Sequence, residues 1–304
     1  KGDGLAVEKT ADTLVDQEAL VLGEEQYGLT RFGSSINGNS FQQDAVVTHE
    51  NHQYVGYYDA QRRVCIARRS LPDGAWEILR FADYAFKVND AHNTISLGIC
   101  PNDGTIHVAF DHHARGLNYR VSKKGVATRP VSDHWDAALF GKIQSRLGEV
   151  EVPSITYPRF WRTPEGELQL CWRRNGSGDG DRMLADYDSK AGTWRAIHPI
   201  DSREGMYGDS DSRCSYPNGY TYGPKGRLHT TWVWRESATR KSNHDLMYAY
   251  SEDLGGRWKN SAGRPLDTVP RVDSPGITVV EIPDDLGLMN THGQAVDSQG
   301  RIHV

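Results

Sequence analysis

The sequence is short of several things that would assign it to a class. Cysteine is scarce, with four in 304 residues. Cys65, Cys100, Cys171 and Cys214 lie far apart and form no Cys-x-x-Cys pair. A disulfide scaffold is therefore not expected. Three of the four sit in apolar, strand-like surroundings, as free buried thiols do. No apolar run approaches the ~18 residues of a membrane-spanning helix. Heptads and low-complexity tracts are absent, which argues against a coiled coil or a disordered chain. The net charge is only −5, with acidic and basic residues interspersed. No nucleic-acid footprint is visible. Weak overall acidity does not bar an anionic ligand, because local placement of Arg and His decides that.

Turn-formers and aromatics are abundant: 31 Gly, 13 Pro, 8 Trp, 14 Tyr and 7 Phe. One phrase recurs, a turn followed by alternating apolar and polar residues. It reads His52-Gln-Tyr-Val-Gly-Tyr-Tyr58, then Gly104-Thr-Ile-His-Val-Ala-Phe110. It returns as Gly166-Glu-Leu-Gln-Leu-Cys-Trp172 and Gly226-Arg-Leu-His-Thr-Thr-Trp232, and begins again at Gly300-Arg-Ile-His-Val304. Copies are about 50 to 75 residues apart, the spacing of a repeat architecture. Alternation with a period of two means strand.

A second phrase follows three of these: Ser70-Leu-Pro-Asp-Gly-Ala-Trp76, Asp188-Ser-Lys-Ala-Gly-Thr-Trp194 and Ser251-Glu-Asp-Leu-Gly-Gly-Arg-Trp258. The last fits the Asp-box pattern Ser-x-Asp-x-Gly-x-x-Trp. Such a phrase makes a tight hairpin: Asp or Ser bonds the turn backbone, Gly takes positive φ, and Trp covers the junction. Four strands per repeat, arranged radially, predict an all-β fold, a β-propeller. The expectation is one domain over residues 1–304 with about five blades, out of roughly seven in a complete ring. Lys1 is not an initiator Met, which suggests a removed or omitted signal peptide and a secreted or periplasmic protein. The chain stops inside a strand-like phrase, so a longer protein is expected. One segment departs from the repeat. Residues 133–147 carry apolar side chains at 135, 139, 143 and 147, and Ser132 can cap them. That spacing predicts a short inserted helix.

Loops at one end of a propeller channel converge, so equivalent places in successive blades face one pocket. At the start of the inner strands stand His92, Tyr157, Tyr216 and His292. At the end of the second strands stand Tyr58, His112-His113, Arg173-Arg174 and Arg235-Glu236. Taken singly, each has a structural reading: a hydrogen-bonded strand-end histidine, turn packing of Tyr-Pro, a solvated or salt-bridged arginine. Asp111-His112-His113 resembles a metal run, but neighbouring strand residues point to opposite faces and do not chelate one ion. The set is more telling than its members. Imidazole, phenol and guanidinium around an anionic ligand suit β-elimination on a 4-linked uronic acid. Arg grips the carboxylate with its planar fork and stabilises the enolate-like charge. A neutral His or a Tyr removes the C5 proton, and Tyr or His protonates the departing O4.

From about Asn39 to its end, the chain resembles the BNR-repeat propeller lyases. These include ulvan lyases and the rhamnose–glucuronate lyases that trim arabinogalactan-type gums. The resemblance rests on Asp90-Ala-His-Asn-Thr-Ile-Ser-Leu-Gly98, Val108-Ala-Phe-Asp-His-His113, Ser154-Ile-Thr-Tyr-Pro158 and Cys171-Trp-Arg-Arg174. In those families two His, a Tyr and an Arg follow at spacings of about 20, 45 and 16 residues, which His92, His112, Tyr157 and Arg173 match. The resemblance implies that His92 and Tyr157 form the acid/base pair. It also implies that His112 and Arg173 neutralise the carboxylate. Arg213 and Tyr216 resemble further substrate contacts, and Arg174, His113, Arg235 and His292 are additional candidates. The implied bond joins rhamnose to O4 of glucuronate, or of iduronate, in ulvan or a gum arabic-type polysaccharide. Endo and exo action both stay open.

No cofactor is required for this chemistry, and no catalytic metal is expected. Asn175-Gly-Ser-Gly-Asp-Gly-Asp181 spaces oxygen donors as some calcium loops do, but lacks the distal Glu of an EF-hand. Trp161, Trp172, Trp232 and Trp234 are expected between blades rather than on sugars. The expected partner is an anionic uronic-acid polysaccharide, with no nucleic acid and no membrane, bound by a monomer. Two other functions compete: a sialidase-like hydrolase, which needs a carboxylate beside a Tyr nucleophile, and a non-catalytic glycan-binding propeller.

Overall fold

The computed structural model describes residues 12–21, 32, 35–38, 45–129 and 134–304. Successive antiparallel sheets follow one another along the chain. The first contains β1 (Val46–His49), β2 (His52–Tyr58), β3 (Arg63–Ser70) and β4 (Glu77–Ala85), in that order. The second contains β5 (Ile95–Cys100), β6 (Thr105–Phe110) and β7 (Tyr119–Val121). A small ribbon of β8 (Arg146–Leu147) and β9 (Val150–Glu151) precedes the third sheet. That sheet is β10 (Thr156–Arg162), β11 (Leu168–Arg173), β12 (Arg182–Asp188) and β13 (Thr193–Pro199). The fourth is β14 (Cys214–Tyr222), β15 (Leu228–Arg235), β16 (Asn243–Ser251) and β17 (Thr278–Val280). A fifth begins with β18 (Ala295–Val296) and β19 (Ile302–His303). This is the β-propeller that the repeat predicts, each blade a simple meander.

The recurring phrase forms the second strand of each blade. Every residue of β6, β11 and β15 is buried. A blade is covered on both faces by its neighbours, so the polar half of the alternation is inside as well, and it must be hydrogen-bonded. His107 shows how: its ring lies between Tyr119 Oη at 2.6 Å and Thr105 Oγ1 at 2.7 Å. Close approach between blades also explains two glycines. A Cβ on Gly56 would lie 2.6 Å from Ile95 Cγ2, and one on Gly98 would lie 2.6 Å from Phe160 Cγ. All four cysteines are buried and free. Trp172, Trp232 and Trp234 are buried between sheets, and half-buried Trp161 stacks on Tyr220 at 4.3 Å.

The Ser251–Trp258 turn forms as its side chains dictate. Ser251 Oγ donates to Asp253 Oδ1 and accepts from the Gly255 N–H, both at 2.8 Å. Gly255 sits at φ 98° and Trp258 is buried.

The helix expected over residues 133–147 does not form. One turn of 3-10 helix spans Ala137–Leu139, capped by Asp136, whose side chain accepts from the Ala138 N–H. Ser132 and Asp133 lie outside the described residues. Backbone pairing with β7 overrides the apolar spacing. The Gly141 N–H donates to the Val121 carbonyl at 2.9 Å, and the Gln144 N–H to the Tyr119 carbonyl at 2.7 Å. The segment thus lies along the three-stranded sheet as an irregular fourth strand. Trp135, Leu139 and Phe140 enter one core cluster and Leu147 the next, instead of forming one helical stripe.

Candidate active site

The first strand of each blade starts, and the second strand ends, at the same rim. Three blades therefore deliver side chains to one cleft of about 710 Å³. His92, His113, Tyr157, Arg173, Tyr216 and Arg235 line it, with Ser177 and Asn290.

His92 comes from the turn before β5. The Asp90 carbonyl accepts from the Asn93 N–H at 2.9 Å, and Asp90 Oδ1 accepts from the His92 N–H at 2.9 Å. Asp90 Oδ1 also lies 2.7 Å from His92 Nδ1, and Asp90 Oδ2 lies 2.8 Å from His113 Nδ1. The two imidazoles stack with centroids 3.8 Å apart and 13° between planes. Burial alone would raise the Asp90 carboxyl. Hydrogen bonds from His113 and His92 outweigh it and hold the pKa well below the usual carboxylate range. Burial lowers the His92 pKa, against the opposing pull of Asp90. The Tyr157 ring lies 5.4 Å from the His92 ring, and burial raises its phenol above the usual range.

Three residues at this rim use left-handed backbone: Asp111 at φ 58°, Ala114 at 51° and Tyr157 at 57°. Each such conformation costs about 1–3 kcal/mol and persists only where its surroundings impose it. Asp111 is held by Tyr84 Oη, and the Ala114 N–H by Thr156 Oγ1 at 2.7 Å. Tyr157 sits in an irregular stretch of β10 between Thr156 and Arg159.

The turn after Asp111 separates two neighbours that spacing alone had ranked the other way. His112 is fully buried outside the cleft, where its Nε2 accepts from the Asn118 N–H at 2.9 Å. Burial pushes its pKa down to about 3, so it carries no charge for a carboxylate. His113, one residue later, faces the cleft instead.

Opposite the imidazoles, Tyr216 Oη accepts from Arg173 Nη1 at 3.0 Å and from Arg235 Nη1 at 2.9 Å. Ser177 Oγ is 2.6 Å from the same oxygen. Arg235 also donates to the Ala238 carbonyl at 2.9 Å and to Asn290 Oδ1 at 3.3 Å. Neither arginine has a carboxylate partner among the described residues, and the Nε of each is buried without an acceptor. Elsewhere buried arginines are paired: Arg182 with Asp201, Arg213 with Glu236. Two buried guanidiniums without a counter-carboxylate can hold an anion.

Three other expected residues lie outside the cleft. Arg213 is consumed structurally, holding Glu236 in a bidentate pair at 2.8 and 2.9 Å and three backbone carbonyls. Arg174 pairs with Asp181. The His292 N–H donates to Asn218 Oδ1 at 2.8 Å. In the 175–181 loop, Arg203 and Arg174 already hold Asp179 and Asp181. The sequence reading passed over Asp90, Ser177 and Asn290. Asp90 carried a signal, since Asp two residues before His92 is an Asx-turn spacing.

Asp90, His92 and His113 form the one described cluster with ligand atoms close enough for a metal ion. Its geometry favours proton sharing. An imidazole lone pair lies in the ring plane, and two parallel stacked rings do not direct theirs at one ion.

Sequence comparison places this geometry among known proteins. The chain is 26% identical to an ulvan lyase, long isoform, of Alteromonas sp., over 90% of this chain and 32% of that protein. It is equally similar, at 26% and the same coverage, to the long isoform from Pseudoalteromonas sp. (strain PLSV). A short isoform from Alteromonas sp. (strain LOR) is 25% identical over 83% of this chain and 56% of its own length. The chain thus spans about a third of the long relatives. Among solved structures, the polysaccharide lyase Uly1 superposes with a TM-score of 0.77 at 21% identity, covering 95% of this chain and 71% of that one. A PL25 ulvan lyase bound to -[GlcA(1-4)Rha3S]- superposes with a TM-score of 0.67 at 14% identity, covering 91% and 66%. These two share the fold. The family model described as BNR repeat-containing family member matches residues 52–304, and with most of the sequence inside that match, the chain belongs to the BNR repeat-containing family.

Proposed function

We propose that the cleft is the β-eliminating site of a polysaccharide lyase acting on a uronic-acid glycan. One observation carries this reading: Arg173 and Arg235, without a carboxylate partner, face a His–Tyr acid/base group across one cleft. The guanidiniums take the uronate carboxylate and stabilise the charge that spreads onto it as C5 loses its proton. His92 or Tyr157 takes that proton. The electron pair left on C5 forms the C4–C5 double bond, the C4–O4 bond breaks, and O4 receives a proton from the other member of the pair. The products are an unsaturated uronate and a sugar with a free hydroxyl. His113, stacked on His92, takes the role of neutralising the carboxylate that the family resemblance implies for His112.

A glycosidase needs two carboxyl groups flanking the bond, or a Glu activating a Tyr nucleophile. The described lining of the cleft contains neither Asp nor Glu, which favours elimination. The ulvan lyase relatives support a substrate of the ulvan type; within it the bond we assign is rhamnose to O4 of glucuronate, and the same bond in gum arabic is the second candidate. An extracellular setting belongs to the same proposal, since such polymers do not enter cells.

The test incubates the protein with ulvan and, separately, with gum arabic, following ultraviolet absorbance of the unsaturated uronate. Absorbance should rise with at least one substrate. Release of new reducing ends with no absorbance change would instead identify a hydrolase.

A further inference from the structure

We infer that Asp90 is a positioning residue that fixes the tautomer of both cleft histidines and makes them a one-proton unit. This inference rests on the lyase reading for its kinetic consequence, but not for its geometry.

Asp90 is 3% exposed and accepts three hydrogen bonds: the His92 N–H, His92 Nδ1 and His113 Nδ1. A carboxylate held ionised has no proton to give, so both Nδ1 atoms carry hydrogen and donate. In a neutral imidazole the proton on Nδ1 leaves Nε2 as the basic nitrogen. Asp90 therefore sets Nε2 as the proton-accepting atom of each ring. Without that carboxylate, either nitrogen is free to hold the proton, and a large share of molecules holds it on the wrong one.

The stack adds a second consequence. Two imidazolium ions 3.8 Å apart repel, and one carboxylate neutralises one positive charge. The pair thus has one counter-charge, enough for one added proton and not for two. Among the described residues, ionisable groups facing the pair include Asp90 from the turn before β5, Tyr157 from β10 and Arg173 from β11. Asp111, behind His113, lies near enough to act on Asp90. Arg173 opposes the charged form of His92, and Asp90 supports it. A single proton taken from C5 matches this capacity.

The experiment uses the whole chain and its D90N variant. Long-range nitrogen–proton NMR of the imidazoles, with no substrate, reports the tautomers. Wild type should show hydrogen on Nδ1 of both His92 and His113. The D90N amide offers one acceptor and one donor, so one of the two rings should switch its hydrogen to Nε2. On a uronic-acid glycan, kcat should fall about 100-fold in D90N with KM changed less than about threefold, the size seen when orienting partners are removed. The acid limb of the kcat profile should move as well. D90E, which keeps the charge, should restore part of kcat if the first variant is damaged in folding. Hydrogen on Nε2 of either ring in wild type overturns the inference. So does D90N with wild-type tautomers and full kcat. If no glycan is cleaved by wild type, the lyase reading fails while the NMR result still decides the tautomers.

Discussion

Arg173 and Arg235 come from different blades, yet both donate to one atom, Tyr216 Oη, at 3.0 and 2.9 Å. Guanidiniums otherwise repel. A shared phenolic acceptor holds them side by side, with the Nε of each buried and no carboxylate among the described residues to neutralise them. Blade packing imposes the arrangement, and it leaves two cations available to the anion of the proposed substrate.

Removing either cation should weaken transition-state stabilisation more than folding. Arg173→Ala should lower kcat/KM for a uronic-acid glycan about 10²–10³-fold, the size of a lost preorganised donor. Arg235→Ala should do the same to a smaller degree, and Tyr216→Phe should reduce both contributions at once. Initial rates of unsaturated-uronate formation measure this. A full rate in Arg173→Ala would displace the carboxylate site.

The pH profile should reflect His92. Its pKa lies below the usual 6.5 because burial penalises the cation. A base must be unprotonated, so a lowered pKa extends activity toward acid. The acid limb of kcat/KM should have its midpoint below 6.5, with a plateau through neutrality. A midpoint at or above 7 would assign the base to another group.

His112 and His113 should separate cleanly. His112 has a folded pKa of about 3 against an ordinary 6.5. Between those values the unfolded chain binds the extra proton. Stability from this group is therefore complete above about 6.5 and is lost as pH falls toward 3, at about 1.4 kcal/mol per pH unit. His107, also lowered to about 3 by burial, adds a second proton of the same sign. His112→Gln keeps an acceptor for Asn118 and should remove one proton from the slope of urea-unfolding stability against pH. His113→Ala should cut kcat about 10²-fold.

Blade contact should tolerate no side chain at Gly98. Its substitution by Ala would press on Phe160 from 2.6 Å, costing about 1–3 kcal/mol. Gly116→Ala is the control, since its added carbon meets nothing closer than 3.9 Å. Thermal or urea unfolding distinguishes them, and equal stability of the two variants would contradict the packing.

Much of this was legible in one dimension. The alternation in His52–Tyr58 and its later copies located the second strands, because every blade buries the same element. The Ser251–Trp258 turn formed from its own side chains, as local hydrogen bonding requires. Residues 133–147 misled, because helical spacing of apolar residues is also met by a ribbon that drops side chains into two cores in turn. Comparing equivalent places in successive blades pointed to His92, Tyr157, Arg173, Tyr216 and Arg235, which line one cleft. His112 was not separable from His113 by spacing, since one left-handed residue, Asp111, sets which of the two turns outward.

The sequence by itself determined the repeat and the all-β class, since these depend on local periodicity and residue type. Only the tertiary structure decided which cations lack a partner and which histidine meets Asp90. Arg173 and Arg213 are both buried arginines, and nothing local distinguishes them. Glu236, on the neighbouring strand's end, neutralises Arg213, whereas Arg173 meets only a phenol. Whether a charge is spent on the fold or left for a ligand depends on groups brought together from different blades, and that is a property of the packed ring.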